Sequence, residues 1–399
     1  MDFQNVNPLN ILLNAVSGNL LPMTTDNSSF SIVWKMYSAL VWLLEITQMC
    51  VLIPGCFILP KEKTLKDGLI GIAVTMEVVY TVMRIHTRKA LVQRLIQKLN
   101  NIMRVKDELM RSTVMETLKP IEIPLTFYWM AGLVSIIMWT TAPFTLVFQK
   151  NSFVYMDYKM PVVFSKEPFS TSIFVFGSLV VMLSSMYIFT KKVSVDSYII
   201  NMILLITAQY KYIALKLSMI FQDVRLQSNC NSSNEKKDYP ETNFCAKEKI
   251  KFICQHYNAV FHVTLMLREL LAVSISIIYL NSVFRFCCIA IMVISIPSSD
   301  SIERAVFIMY ASGGVVQLYI LCSCVQQLLD ASNEITDQAF HEPWYRFEGS
   351  IKRTFMFLIM ANNLELKLSM FKRYNISLAS FMTILNQSYS IALILLRTN

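Results

Sequence analysis

The sequence predicts an all-α integral membrane protein with seven transmembrane helices. Its N-terminus is expected in the cytoplasm and its C-terminus outside, with long helices 4 and 5 projecting into a cytoplasmic anchor region. Three observations carry this. Of 399 residues, 54% are hydrophobic and only 16% charged, against about 25% charged in soluble domains; mean hydropathy is +0.47. So much apolar surface does not fit inside a water-facing globule. The apolar runs are also long and continuous rather than ten-residue alternating segments, which selects helices over a barrel. Finally, the +9 net charge falls mainly in loops between apolar runs, as membrane topology requires.

The first span reads from about Trp34 to Leu59, stopped by Pro60, and the second from Leu69 to Met83. Arg84 to Lys119 is basic and amphipathic, with Leu91, Leu95, Ile96, Leu99 and Ile102 at helical spacing. Pro120 and Pro124 then introduce the third span, Leu125 to Phe148, and an aromatic loop covers 149–168. Phe169 to Phe221 holds no central Gly or Pro, so it reads as one helix that crosses lipid and continues beyond it. The polar stretch 223–250 reads as a flexible loop, followed by a second long helix, Ile250 to Ile296. The sixth span, Ile302 to Val325, extends through Gln326 to Gln338; a helix over Ile351 to Leu366 and a final uncharged span, Ile376 to Leu396, complete the chain. One domain is expected over 1–399: a cytoplasmic N-terminus (1–31), six helices (32–325), a polar extension with the helix that precedes the last span (326–375), and the last span (376–397).

Orientation follows from charge. Segment 84–119 carries nine basic against three acidic residues, and the loops at 60–67 and 149–168 three basic residues each. The positive-inside rule places 84–119 in the cytoplasm. A seven-helix G-protein-coupled receptor would have the opposite sense, and no Asp-Arg-Tyr follows the third span. Four His without metal-ligand company and the lack of a phosphate loop or serine elbow argue against an enzyme; no cofactor or metal is expected. The basic charge shows no nucleic-acid motif, and no internal repeat suggests a transporter.

The order of several short motifs resembles the insect odorant receptor family. Near the C-terminus stand Ala339, Trp344-Tyr345, Arg353 and Ser388-Tyr389-Ser390; upstream, Asp196-Ser197-Tyr198 resembles the family's Asp before an aromatic in its fourth helix, and His256 the His that opens its fifth. Lys61 to Gly68 and Asp157 to Pro161 resemble the branch expanded in ants, bees and wasps. Where the family has Gln-x-Pro, this chain has Asn362-Asn363-Leu364. A gustatory-type receptor of the wider superfamily would end differently. The chain lacks the long second intracellular loop of the shared co-receptor. The resemblance therefore implies an odorant-gated, non-selective cation channel subunit in the plasma membrane of the olfactory neuron dendrite. It also implies assembly as a heterotetramer with the odorant receptor co-receptor, a pocket among helices two, three, four and six, and a pore lined by the last helix.

On those helices, spacing groups the candidates for a small volatile odorant. Met76, Val79, Tyr80 and Met83 share a face of helix two; Ser135, Met138, Trp139 and Ala142 share one of helix three; Phe307, Tyr310, Ala311 and Gly314 share one of helix six, and Tyr198 enters from helix four. Tyr80, Trp139 and Tyr310 stand out, each pairing a large apolar face with one polar handle. On the last helix, Ser380, Thr383, Gln387, Ser390 and Ile394 fall within roughly 80°. With Ile391, they are the pore candidates, and Ile394 is expected to narrow the pathway by dewetting. Lys192 and Asp196 are placed to pair at i, i+4.

Overall fold

The computed structural model describes residues 1–24, 30–104, 107–230, 239–295, 301–341, 349, 352–360 and 378–397. Among the described residues, nine helices of ten residues or more carry the fold: α1 (Pro8–Ser17), α2 (Ile32–Ile58), α3 (Leu69–Thr87), α4 (Lys89–Met103), α5 (Glu108–Thr141), α6 (Thr171–Cys230), α7 (Tyr239–Ser295), α8 (Ser301–His341) and α9 (Leu378–Arg397). Among the described residues, seven segments, within α2, α3 and α5 to α9, are long and apolar enough to cross a membrane. The chain is thus a multi-pass membrane protein, and the described residues contain no strand beyond one bridge, Phe153 with Phe169. One end of the bundle holds the basic α4 region, the other the loop 149–170.

The α2 helix is built inside out. Its buried residues are Ser38, Val41, Glu45, Gln48, Leu52 and Gly55, while Leu40, Leu43, Ile46 and Phe57 face outward. Small and polar residues at three- and four-residue steps form the protein-facing seam, because lipid solvates the outward apolar side chains as well as a core would. In α4, which lies at the basic end, Val92, Leu95, Ile96 and Leu99 are fully buried on one face, the ordinary amphipathic pattern.

Three boundaries differ from the sequence reading. Pro120 and Pro124 lie inside α5 rather than before it. Each removes an N–H, yet the helix continues from Glu108, packed against α6 and α8. The polar stretch read as a loop over 223–250 is helical through Cys230 and again from Tyr239. A helix that has left the lipid needs no apolar composition, so polarity there did not mark a loop. Only 231–238, within it, lies outside the described residues, as do Trp344-Tyr345, Asn362-Asn363-Leu364 and the loop at 297–300; residues 352–360 are helical.

The N-terminal segment is also more ordered than its composition suggests. Asn7 caps α1 by accepting from Asn10 N at 3.1 Å, and Gly18 closes it at φ 67, where a side chain would be strained. The segment then docks through amides: Asn7 Nδ2 donates to Asn201 at 2.8 Å, Phe3 N to Asn100 at 2.7 Å, Asn19 Nδ2 to the Lys191 carbonyl at 3.2 Å, and Tyr198 OH to the Pro22 carbonyl at 2.6 Å.

Two expected outcomes follow. A Cβ on Gly55 would collide with the Pro161 carbonyl, whereas one on Gly71 would meet only the flexible tip of Met160 at 3.2 Å. Gly55→Ala should cost about 1–3 kcal/mol and Gly71→Ala less than about 1, read as the thermal unfolding midpoint in detergent. Asp107, the N-cap of α5, receives Lys216 Nζ at 2.7 Å, Tyr212 OH at 2.8 Å and Leu109 N at 3.1 Å. The Lys216 hydrogen bond, aided by those from Tyr212 and Leu109, holds its carboxyl below the usual carboxylate range. The stabilisation it supplies is therefore present above the unfolded value of about 3.9 and lost as pH falls through the lower folded value. Asp107→Asn should lower the midpoint at neutral pH, with the difference from wild type closing only under more acidic conditions.

Candidate functional site

A cavity of about 100 Å³ lies between the helices near the end that carries loop 149–170. The wall is mostly apolar: Ile70 and Val74 from α3, Ile136 and Trp139 from α5, Ile188 and Phe189 from α6, Met292 from α7, and Val306, Phe307 and Tyr310 from α8. Trp139 meets Phe307 edge to face at 6.4 Å. Polar groups enter at Gln48, Asp67, Thr75, Ser135 and Ser185. A cavity of ~150 Å³ lined by apolar side chains stays dry and binds benzene, so this one suits a molecule of about that size with modest side-chain movement.

The loop 149–170 closes the cavity at that end, contributing Met160 to its wall. Phe153 and Phe169 exchange backbone hydrogen bonds at 3.1 Å, Phe153 stacks on Phe174 at 4.2 Å, and Tyr158 packs on Phe169 and Phe174. Lys63 Nζ donates to the carbonyls of Met156 and Tyr158, both at 2.6 Å, tying the loop to the α2–α3 connection. Burial pushes the Tyr158 phenol up to about 12, so it stays a neutral donor to the Ile173 carbonyl at 3.2 Å.

One to two turns further along, the cavity's helices meet in a buried charge cluster. Lys192 on α6 pairs with Glu77 on α3 at 2.7 Å and with Asp196 at 2.6 Å. Gln317 on α8 donates to Asp196 at 3.0 Å and accepts from Arg285 on α7 at 2.8 Å, while Asn281 donates to Glu77. Two cations balance two anions. A second pair, Lys191 with Glu45 at 3.0 Å, holds α6 to α2, and the Lys191 ammonium sits 3.4 Å from the centre of the Trp42 ring.

Of the candidates taken from spacing, Ser135, Trp139, Phe307 and Tyr310 line this cavity. The others do not. Met76, Met83 and Met138 are exposed on the outer surface, and Ala142 is exposed at the start of a 3-10 turn. Val79 and Tyr80 are half-buried beyond the cavity, and half-buried Ala311 packs against the main core. Tyr198 is fully buried nearer the basic end, against Phe3 and bonded to Pro22. Spacing missed Gln48, Thr75, Met160, Ser185 and Met292; the signal that could have found Gln48 is the small and polar seam of α2.

The α9 helix packs on α7 and α8. Ile384, Ser388 and Ala392 are buried against the subunit. Thr383, Gln387, Ser390, Ile391 and Ile394 are exposed, and Ser380 is intermediate. Gln387 accepts a hydrogen bond from Tyr279 OH of α7 at 3.1 Å. No group of three or more metal-ligating side chains occurs among the described residues.

The α2–α6 ion pair offers a stability test. Lys191→Met leaves the Glu45 carboxylate buried alone and should cost about 3–5 kcal/mol, whereas Lys191→Met combined with Glu45→Leu should recover most of that loss. Unfolding midpoints of the two single variants and the double variant would show it.

Comparison with known proteins agrees with this architecture. The structure of the insect olfactory receptor OR5 from Machilis hrabei superposes with a TM-score of 0.76 at 10% identity, covering 98% of this chain and 97% of that one. The same receptor in complex with eugenol gives 0.72 at 14% identity, covering 99% and 98%. Curated proteins yield no match. The family model described as 7tm Odorant receptor matches residues 69–389, and the chain therefore belongs to the odorant receptor family.

Proposed function

We propose that this chain is an odorant-binding subunit of a non-selective cation channel, assembled as a heterotetramer with the odorant receptor co-receptor in the plasma membrane of an olfactory neuron dendrite. Its family is one of receptors, not enzymes. In this reading the basic end faces the cytoplasm, following the charge asymmetry of segment 84–119. The cavity holds a small, mostly apolar volatile, and Ser135, Trp139, Phe307 and Tyr310 touch it. The eugenol complex of a receptor with the same fold supports a ligand of this class.

The observation that carries the channel reading is the phase of α9. Its buried stripe is Ile384, Ser388 and Ala392, so Thr383 and Ser390 are exposed away from that stripe, and Gln387, although it accepts from Tyr279 OH, is exposed as well. Polar groups facing hydrocarbon are costly, so this face calls for water or another subunit. A central pathway shared by several subunits provides both. Ile394, 62% exposed on the same side, supplies the apolar constriction. The uncharged stripe lacks an acidic ring, which fits weak discrimination among cations.

Currents recorded with and without the co-receptor, against an odorant panel, test the assignment. Ile394→Cys and Gln387→Cys should make the odorant-evoked current sensitive to a permeant thiol reagent. Insensitivity at both positions in the open state would remove α9 from the pathway. Tyr310→Ala should shift half-maximal concentrations at least about ten-fold for some ligands, corresponding to about 1.4 kcal/mol, with surface expression retained.

A further inference from the structure

The polar groups on the cavity wall are nearly all satisfied within the protein. Thr75 Oγ donates to the Gly71 carbonyl at 2.7 Å and Ser135 Oγ to the Ala131 carbonyl at 2.6 Å. Ser185 Oγ engages Met160 Sδ at 3.9 Å, and Asp67 has a partner of its own. Three atoms are exceptions: Asp67, partnered elsewhere, keeps Oδ1 buried without a hydrogen-bond partner, and the other two belong to Gln48 and Trp139. Gln48 Oε1 and Trp139 Nε1 are buried without a hydrogen-bond partner. Gln48, 2% exposed, is fixed in orientation. Its Nε2 donates to Met160 Sδ at 3.3 Å and Ser185 Oγ at 3.4 Å. A thioether sulfur only accepts, so the amide nitrogen belongs on that side and the oxygen on the other.

An unpartnered buried polar group costs about 1–3 kcal/mol; Gln48 and Trp139, two side chains that line the cavity, each keep one, and a ligand that satisfies both with modest side-chain movement removes that cost. Gln48 Oε1 is an acceptor and Trp139 Nε1–H a donor. We propose that the cavity selects volatiles carrying both a hydrogen-bond donor and an acceptor, an alcohol or a phenol being the simplest, with Gln48 accepting from the ligand and Trp139 donating to it. Gln48 thereby becomes a specificity-determining residue on the first membrane helix. This rests on the odorant-binding reading of the cavity and narrows the ligand class.

Three one-ring probes of matched size separate the contributions: benzyl alcohol offers donor and acceptor, benzaldehyde an acceptor only, and ethylbenzene neither. Their dissociation constants are measured from ligand-induced shifts in unfolding temperature of the purified full chain. In the wild type, benzaldehyde should bind about ten-fold more weakly than benzyl alcohol, the equivalent of about 1.4 kcal/mol. Gln48→Met should erase that preference while leaving ethylbenzene within about two-fold, which also certifies the fold. Trp139→Phe keeps an aromatic ring and removes the N–H, so it should reduce the preference for benzaldehyde over ethylbenzene. Ethylbenzene binding with no wild-type preference for the alcohol, or equal weakening of all three probes in folded Gln48→Met, would overturn the hydrogen-bond assignment alone. Binding of none of the three would overturn the odorant-cavity reading beneath it.

Discussion

Four charged side chains buried in the middle of a membrane bundle set the arrangement of everything around them. Glu77, Lys192, Asp196 and Arg285 come from α3, α6 and α7, and Gln317 of α8 bridges Asp196 to Arg285. Removing one charge from water costs several kcal/mol, and the cost is offset only while every partner stays within hydrogen-bond distance. Dispersion contacts between apolar helices tolerate a slide of an ångström or two; this cluster does not. It fixes the relative register of four helices, and the cavity sits one to two turns away on those same helices. The apolar wall acquires a defined shape because its supports are held electrostatically.

One helix belongs to all three regions. Met292 of α7 forms part of the cavity wall, Arg285 and Asn281 join the charge cluster, and the Tyr279 hydroxyl reaches Gln387 on α9. These contacts lie within four turns of an unbroken helix. A rigid helix of this kind shortens the physical route between the cavity and the helix proposed to line the pathway.

Much of this architecture was legible in the sequence, and what was not has a physical cause. The continuity of α6 could be read because no Gly or Pro interrupts 178–221, and the Lys192–Asp196 pair followed from spacing. Ser135, Trp139, Phe307 and Tyr310 shared faces by spacing and do line one cavity. Met76, Met83 and Met138 satisfied the same rule yet lie on the outer surface. In lipid, apolar periodicity no longer distinguishes a face turned to protein from one turned to solvent, because both are apolar. The burial signal moves to small and polar residues, as in α2, where Ser38, Glu45 and Gln48 point inward. The α1 segment escaped notice because it is held by Asn side chains, whose partners at Asn100, Lys191 and Asn201 are remote in sequence. Pro120 and Pro124 misled because proline was read as a boundary where a packed helix continued through it.

The outward face of α2 specifies little beyond oiliness. Leu40, Leu43, Ile46 and Phe57 meet no complementary surface within the subunit, so Ile, Val or Met would serve there equally well. Identity-demanding positions shrink to a narrow inner strip, and the rest of the helix is free to drift in composition while keeping its phase. A fold organised this way can be retained by chains that share only one residue in ten, as the 10% identity to a superposable receptor illustrates.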